Sequence, residues 1–488
     1  MIKFKIIRKR KGILLIRLYI KGGLRMKEQI VRLQSLELEN FKNVQGGKIE
    51  MPLCADKTIF DDKAEILGLY GQNGSGKTAV INALGFLKQL LSGERVDSDI
   101  ADYITKGYQR AACNFKFYMQ KAEMELLVEY IFSIEEQDDI SVISEEKITF
   151  SKKEKEKWSS KVTLCDYHVE NKNVLIKPKY KWDVIIGKSR DNRIDMEVAR
   201  KMTMKEKRSF LFSEDVIHLL EKVFGEASEF GIILRGLSYY GKANLFVINN
   251  NFGGASSLDI ALPLTVKSEE INPPPLSNLT ISLSQPTIMR LKEYKIVKEI
   301  VHVQNLVIQS LVPSLQLLIK EYGTQMVNGG EEGMRFELLA KKEEAIIPLR
   351  YESEGIKKLL AILNLLISVY NHSSMCIVID ELDAGIYEYL LGELLGIIEE
   401  SGKGQLIFTS HNLRPLEMIS REALVFTTTN PNNRYIKITP SKRNNNLRDL
   451  YLRSINLGGQ KEQIYDNTSN FQISRAFRKA GRTTDGKN

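Results

Sequence analysis

Apolar and polar positions alternate in blocks whose period changes along the chain. Leu33, Leu36 and Leu38 alternate imperfectly with polar residues before Asn40-Phe41-Lys42, which predicts a strand at the edge of a core. A second strand is expected around Lys48 to Met51. Ile66 to Tyr70 is a continuous apolar run, as in a strand buried on both faces. Val80, Ile81, Leu84 and Leu87 then recur at helical spacing, predicting a helix to about Leu91. Asn114 to Met119 and Met124 to Ile134 are rich in β-formers around a polar turn and read as an antiparallel hairpin. Lys147 to Tyr167 and Val174 to Ile186 read as further strands, with the charged run Ser151 to Lys157 as a solvated turn.

The pattern changes from about Asp191 to Gly323. Met196 to Phe212 and Ser213 to Phe224 read as helices, and Gly253-Gly254 and Pro273-Pro274-Pro275 as loops. A long helix is expected from Pro286 to Gly323, bent at Pro313. No heptad persists, so this stretch is expected to be a compact helical lobe without a coiled coil. Met334 to Ala340 and Ala345 to Leu349 predict a second hairpin, and Leu359 to Ile367 an apolar helix face. Met375 to Ile379 and Gln405 to Phe408 read as buried strands, Leu447 to Ile455 and Ile473 to Ala480 as short helices. The expected fold is α/β with an antiparallel β subdomain and a helical insertion. Its expected divisions are an arm 1–25, a first lobe 26–190, the insertion 191–330, a second lobe 331–440 and a tail 441–488.

Composition narrows the class. With 488 residues, 43% hydrophobic and 27% charged, the chain has the make-up of a globular protein of two or three structural units. No apolar run approaches the roughly 20 residues of a membrane span, so no transporter domain and no membrane association are expected. The net charge of +9 equals the nine lysines and arginines of residues 1–25, which contain no acid, so the rest sums to zero. That arm reads as a phosphate-backbone binder, as a signal peptide interrupted by Arg17, or as a segment ahead of a native start at Met26. The four cysteines are far apart without ligand spacing, so no zinc site or disulfide framework is indicated and a reduced cytoplasmic compartment is expected. The tail from Ser441 holds ten basic and four acidic residues. It could track nucleic-acid phosphates, dock on an acidic partner or cover the body.

Candidate chemistry sits at the ends of three predicted strands. Gly71-Gln72-Asn73-Gly74-Ser75-Gly76-Lys77-Thr78 matches G-x-x-x-x-G-K-[ST] between a strand and a helix. Backbone N–H groups and the positive end of the helix would face one polyphosphate there. Lys77 would reach the β- and γ-phosphates, and the Thr78 hydroxyl would ligate Mg²⁺. The strand Met375 to Ile379 delivers Asp380-Glu381, where Asp380 would hold Mg²⁺ through its water shell and Glu381 would act as general base. Gln405 to Phe408 leads to Thr409-Ser410-His411-Asn412, and His411 is expected either at the γ-phosphate or as a loop histidine capping a helix. The other four histidines lack such a setting. No N-K-x-D base-reading motif is present, which favours ATP over GTP.

Together these residues resemble the ABC-type ATPase heads of the SMC, RecF and OLD group, over roughly Leu33 to Thr428. Leu36-x-Leu38-x-Asn40-Phe41-Lys42 looks like their first strand, Gly71 to Thr78 like Walker A and Val378 to Glu381 like Walker B. Asp383-Ala384 looks like the D-loop and His411 like the switch histidine. Ser353-Glu354-Gly355 resembles the signature motif, reduced to S-x-G and followed by Lys357 and Lys358. The reduced signature and short insertion look most like the AAA-family ATPases of bacterial anti-phage systems. The glutamine loop has only Gln120 as a weak candidate, and no Toprim nuclease domain fits the 77 residues after His411.

The resemblance implies a P-loop NTPase of ABC-head type that binds and hydrolyses ATP with Mg²⁺. It also implies a homodimer or higher homo-oligomer in which Ser353 and Gly355 of one chain cover the nucleotide on Walker A of the other. A switch in anti-phage defence with a separate effector is one expectation. A RecF-like, DNA-associated ATPase, binding through the basic arm or tail, is another. A transporter's ATPase subunit is disfavoured by the long stretch between Thr78 and Ser353. A head that binds ATP without turnover is disfavoured by intact Lys77, Asp380 and Glu381.

Overall fold

The computed structural model describes residues 29–54, 63–96, 100–137, 140–155, 157–171, 173–249, 261–267, 276–327, 329–438, 447–457, 461–466 and 469–485. The basic arm 1–25 lies outside the described residues.

A six-stranded sheet is the frame of the molecule. Its order is Leu245–Ile248, Cys376–Ile379, Gln405–Thr409, Glu65–Tyr70, Leu424–Thr427, Tyr435–Ile436, with the first five parallel and the last antiparallel. Glu65–Tyr70, Cys376–Ile379 and Gln405–Thr409 are buried at every position, which is why Ile66 to Tyr70 and Cys376–Ile379 read as unbroken apolar runs. Helix Lys77–Ser92 leaves the end of Glu65–Tyr70 and buries Val80, Ile81, Leu84 and Leu87.

Beside this frame lies an eight-stranded antiparallel sheet running Val44–Glu50, Ile30–Phe41, Arg110–Lys121, Met124–Gln137, Ile140–Glu154, Val162–His168, Ile176–Lys177, with Lys157–Trp158 paired to Ile140–Glu154. One core joins the inner face of this sheet to helix Lys77–Ser92 and to helices Lys179–Lys188, Asp191–Glu206, Glu214–Phe224 and Glu229–Ala243. A second core fills the opposite face of the parallel sheet, against Glu388–Ser401. A third lies among Leu291–Leu311, the hairpin Leu315–Met326 with Glu332–Lys342, and helix Glu354–Asn371.

Three expectations are corrected. Val174 to Ile186 is a strand only at Ile176–Lys177; Pro178 then starts helix Lys179–Lys188, which buries Trp182 and Ile185 one turn apart. The helix expected from Pro286 to Gly323 is strand Thr287–Arg290, helix Leu291–Leu311 and strand Leu315–Met326. Pro313 ends that helix, because it lacks an N–H and crowds the preceding turn, and Glu332–Lys342 captures the following residues as a strand. The stretch 191–330 is therefore mixed rather than helical, and it contributes Leu245–Ile248 to the central sheet itself.

Candidate nucleotide site

The C-terminal ends of the parallel strands gather the predicted residues at one rim. Gly71 to Gly76 form a tight loop between Glu65–Tyr70 and helix Lys77–Ser92, with Gly74 at φ 76° and Gly76 at φ 98°. Both values are left-handed and favour glycine. Gly71 is excluded from substitution by crowding: a Cβ there would lie 1.8 Å from Thr427 Oγ1. Ser75 Oγ donates to Gln72 O at 2.6 Å and pairs with Thr427 Oγ1 at 2.5 Å. Asn43 Nδ2 donates to Gly74 O at 2.5 Å, and Tyr435 O–H donates to Gly76 O at 2.8 Å. Arg434 lies against Gly76 and donates to Asn43 O at 2.7 Å. Strands far apart in sequence thus hold the loop from both sides, while Asn73, Gly74 and Thr78 stay exposed.

Lys77 is buried, and its Nζ donates to Gly71 O at 2.7 Å and Gln72 O at 2.9 Å. Burial lowers its pKa from the ordinary lysine value, while Asp380, Glu381 and Asp383 oppose that shift. Cys376–Ile379 is separated from Glu65–Tyr70 only by Gln405–Thr409, with all three parallel, so the acidic strand end and the loop lie on the same rim of the sheet.

Asp380 and Glu381 follow Cys376–Ile379 directly. Thr409 Oγ1 donates to Asp380 Oδ1 at 2.5 Å and accepts from the Glu381 N–H at 2.7 Å. Glu381 has φ 48°, a left-handed conformation that is uncommon outside glycine and marks stored strain. His411 is exposed, two residues beyond Gln405–Thr409. The backbone N–H groups of His411 and Asn412 donate to Asp383 Oδ2 at 3.2 and 3.1 Å, joining that turn to the loop after Glu381.

Ser353 is the exposed N-cap of helix Glu354–Asn371, with its Oγ accepting from Ile356 N–H at 3.3 Å. Gly355 packs on Gly385, where a Cβ would fall 1.9 Å from the carbonyl oxygen. One turn further, Lys358 Nζ donates to Glu381 O at 2.6 Å. Ser353 and Gly355 therefore share one corner of the surface with Asp383 to Gly385.

Several contacts escaped sequence reasoning. Thr409 carried a weak signal, as the last residue of a buried strand before Ser410-His411. Asp466, in the tail, carried none: its N–H donates to Gln72 Oε1 at 2.9 Å, and Gln72 Nε2 donates to its Oδ2 at 3.2 Å. Gln120 is misplaced for a nucleotide contact. It pairs with Ile30, next to Val31, whose N–H donates to Ser374 Oγ at the N-terminal end of the parallel sheet. Asn249, by contrast, is an exposed amide at the C-terminal end of the parallel sheet. It follows Leu245–Ile248, the parallel neighbour of Cys376–Ile379, where the Asp380 N–H donates to Ile248 O at 2.9 Å.

The RecF/RecN/SMC N-terminal domain family model matches residues 32–434. Among solved structures, the SMC head bound to the C-winged helix domain of ScpA is 14% identical with TM-score 0.35, covering 84% of this chain and 98% of that one. The SMC head with an extended coiled coil, bound to the C-terminal domain of ScpA from Pyrococcus furiosus, is 12% identical with TM-score 0.34 and coverages of 84% and 97%. The recombination mediator protein RecF with ATP is 12% identical with TM-score 0.32 and coverages of 78% and 92%. No curated protein matches. With most of its length matched by one family model and its phosphate loop and acidic strand end on one rim, the chain belongs to the RecF/RecN/SMC N-terminal domain family and is an ABC-type ATPase head.

Proposed function

We propose that the chain hydrolyses ATP and that two copies close head to tail around two nucleotides. The observation that carries this reading is the rim itself: the loop of Lys77 and the acidic end Asp380-Glu381 at the C-terminal ends of parallel strands of one sheet, beside a corner that presents Ser353 outward. Gly71 to Lys77 bind the phosphates, with Lys77 meeting the β and γ oxygens. The Thr78 hydroxyl and Asp380 offer the hard oxygen donors that Mg²⁺ prefers, and Thr409 fixes one Asp380 oxygen. When bound, Mg²⁺ neutralises charge on the β and γ oxygens. Glu381 takes the proton of a water as its oxygen bonds to the γ-phosphorus and the bond to the ADP oxygen breaks. His411 and Asn249 flank that water from the two neighbouring strand ends.

Ser353 and Gly355 complete the site of the other copy. Exposed Tyr351, Tyr387 and Tyr389 flank them, with Arg414 over the Tyr389 ring at 4.7 Å, the residue types that anchor interfaces. ATP then favours one of two states, which makes the head a switch. A separate effector reads it in the cytoplasm, and the reduced signature with a short mixed insertion supports an anti-phage setting. The test is turnover against protein concentration. Specific activity is expected to rise with concentration and to collapse in Ser353→Arg. Activity independent of concentration and intact in Ser353→Arg would overturn the reading.

The family match also favours a second setting, a DNA-associated ATPase of the RecF kind. Helix Asn470–Asp485 exposes Arg475, Arg478 and Lys479 and would meet phosphates. ATP-dependent, salt-sensitive retention on DNA ends would support it, and no retention at low salt would exclude it.

A further inference from the structure

Lys358 touches the acidic strand end of its own chain, although the helix that carries it belongs to the corner presenting Ser353. Helix Glu354–Asn371 is anchored without it: Leu359, Leu360 and Leu363 hold the helix in the third core. Lys358 is instead half-buried, and its Nζ donates to the Glu381 carbonyl oxygen at 2.6 Å. Burial lowers the pKa of this amine, and Asp383, Glu381 and Asp380, in that order, oppose the shift. Desolvating an ammonium is costly, so this placement calls for a role beyond packing.

The contact falls on the strained residue. Glu381 has φ 48°, its N–H is held by Thr409 Oγ1 at 2.7 Å, and its carbonyl is held by Lys358. A residue in a sparsely populated conformation persists only where its surroundings over-determine it. Thr409 belongs to the central sheet and is fixed. Lys358 belongs to a helix whose N-cap faces outward, so any shift of Ser353 and its helix pulls on the Glu381 peptide through one side chain five residues away.

We propose that Lys358 is a positioning residue that couples the two nucleotide sites of the closed pair. Engagement of Ser353 by the partner's nucleotide seats helix Glu354–Asn371, and Lys358 then sets the backbone from which Glu381 acts on its own nucleotide. This rests on the reading of Glu381 as base and Ser353 as acting across the interface.

The test compares Lys358→Met, Lys358→Arg and Glu381→Gln in the full chain, using ATP affinity, turnover and its dependence on ATP concentration. Lys358→Met is expected to bind ATP within about threefold of wild type while turnover falls about 10- to 100-fold, as for a catalytic group displaced by a fraction of an ångström. Coupled sites predict a sigmoidal ATP dependence in the wild type, which is expected to become hyperbolic in Lys358→Met, and Lys358→Arg, which keeps a donor, is expected to recover part of the rate. Wild-type turnover and cooperativity in Lys358→Met, with Glu381→Gln inactive, would overturn the coupling and leave the base assignment standing. Active Glu381→Gln would remove the base assignment itself. Equal losses of ATP affinity and melting temperature in both Lys358 variants would make the residue structural and also overturn the proposal.

Discussion

The two ends of the parallel sheet handle buried charge in opposite ways. At the N-terminal end, Arg32 and Glu65 are almost completely buried. Arg32 donates to Glu65 Oε2 at 3.1 and 2.7 Å, to Lys403 O at 2.6 Å and to Lys63 O at 3.1 Å. Glu65 also accepts from Leu53 N–H and Gln405 Nε2, and Gln405 closes on both backbone groups of Leu33. This network ties the antiparallel sheet to the parallel one. At the C-terminal end, Lys77 is desolvated, Glu381 is strained, and Arg434 Nε and Asp383 Oδ1 are buried without a hydrogen-bond partner among the described residues. A closed network fixes geometry; an incompletely satisfied one is poised for a charged ligand. On the proposed reading, the contrast assigns stability to one end of the sheet and chemistry to the other.

Substitutions at each end should therefore separate the two quantities. Glu381→Gln is expected to have the largest effect, lowering turnover by up to about 10⁴-fold while ATP affinity stays within about threefold. Unchanged turnover would remove Glu381 from the role of base. Arg32→Met leaves Glu65 buried without its counter-ion and should cost about 3–5 kcal/mol in denaturant unfolding. A loss below about 1 kcal/mol would mean that the network is not what joins the sheets. Lys77→Ala removes a desolvated charge and its phosphate contact, so it should weaken ATP binding at least about 30-fold with little loss of stability. A drop in stability matching that of Arg32→Met would break the contrast. Asp466→Asn keeps an acceptor for Gln72 but removes a negative charge beside an anion-binding loop. ATP binding should tighten about two- to threefold at low salt, and the gain should shrink as salt screens it. A gain that ignores salt would assign the effect to loop shape rather than charge.

Local chemistry was the legible part. Ile66 to Thr78 and Met375 to Glu381 each carry strand and motif within a short stretch, because a strand buried on both faces has to be apolar throughout and its polar end has to carry the function. The framework that arranges them was not legible. Leu245–Ile248 is a four-residue strand directly after helix Glu229–Ala243, inside the stretch expected to be a helical lobe, and four apolar residues are too few to set a period of their own. Leu315–Met326 opens with Leu-Gln-Leu-Leu-Ile, which suits either period, and only its pairing with Glu332–Lys342 decides. Arg32 with Glu65, Lys358 with Glu381 and Asp466 with Gln72 are partners that chain folding alone brings together. No spacing rule reaches them. The composition of residues 1–25 dominated the net charge yet informed nothing about the rim, which is built from neutral glycines and balanced ions.

The most direct test of the central claim is the solution mass of the Glu381→Gln protein with and without saturating Mg-ATP. Hydrolysis is expected to stop in this variant, so any closed state should accumulate. The account predicts a doubling of mass that requires ATP and disappears when Ser353→Arg is added. A mass that stays at 55.7 kDa with ATP bound would contradict closure of two heads around the nucleotide.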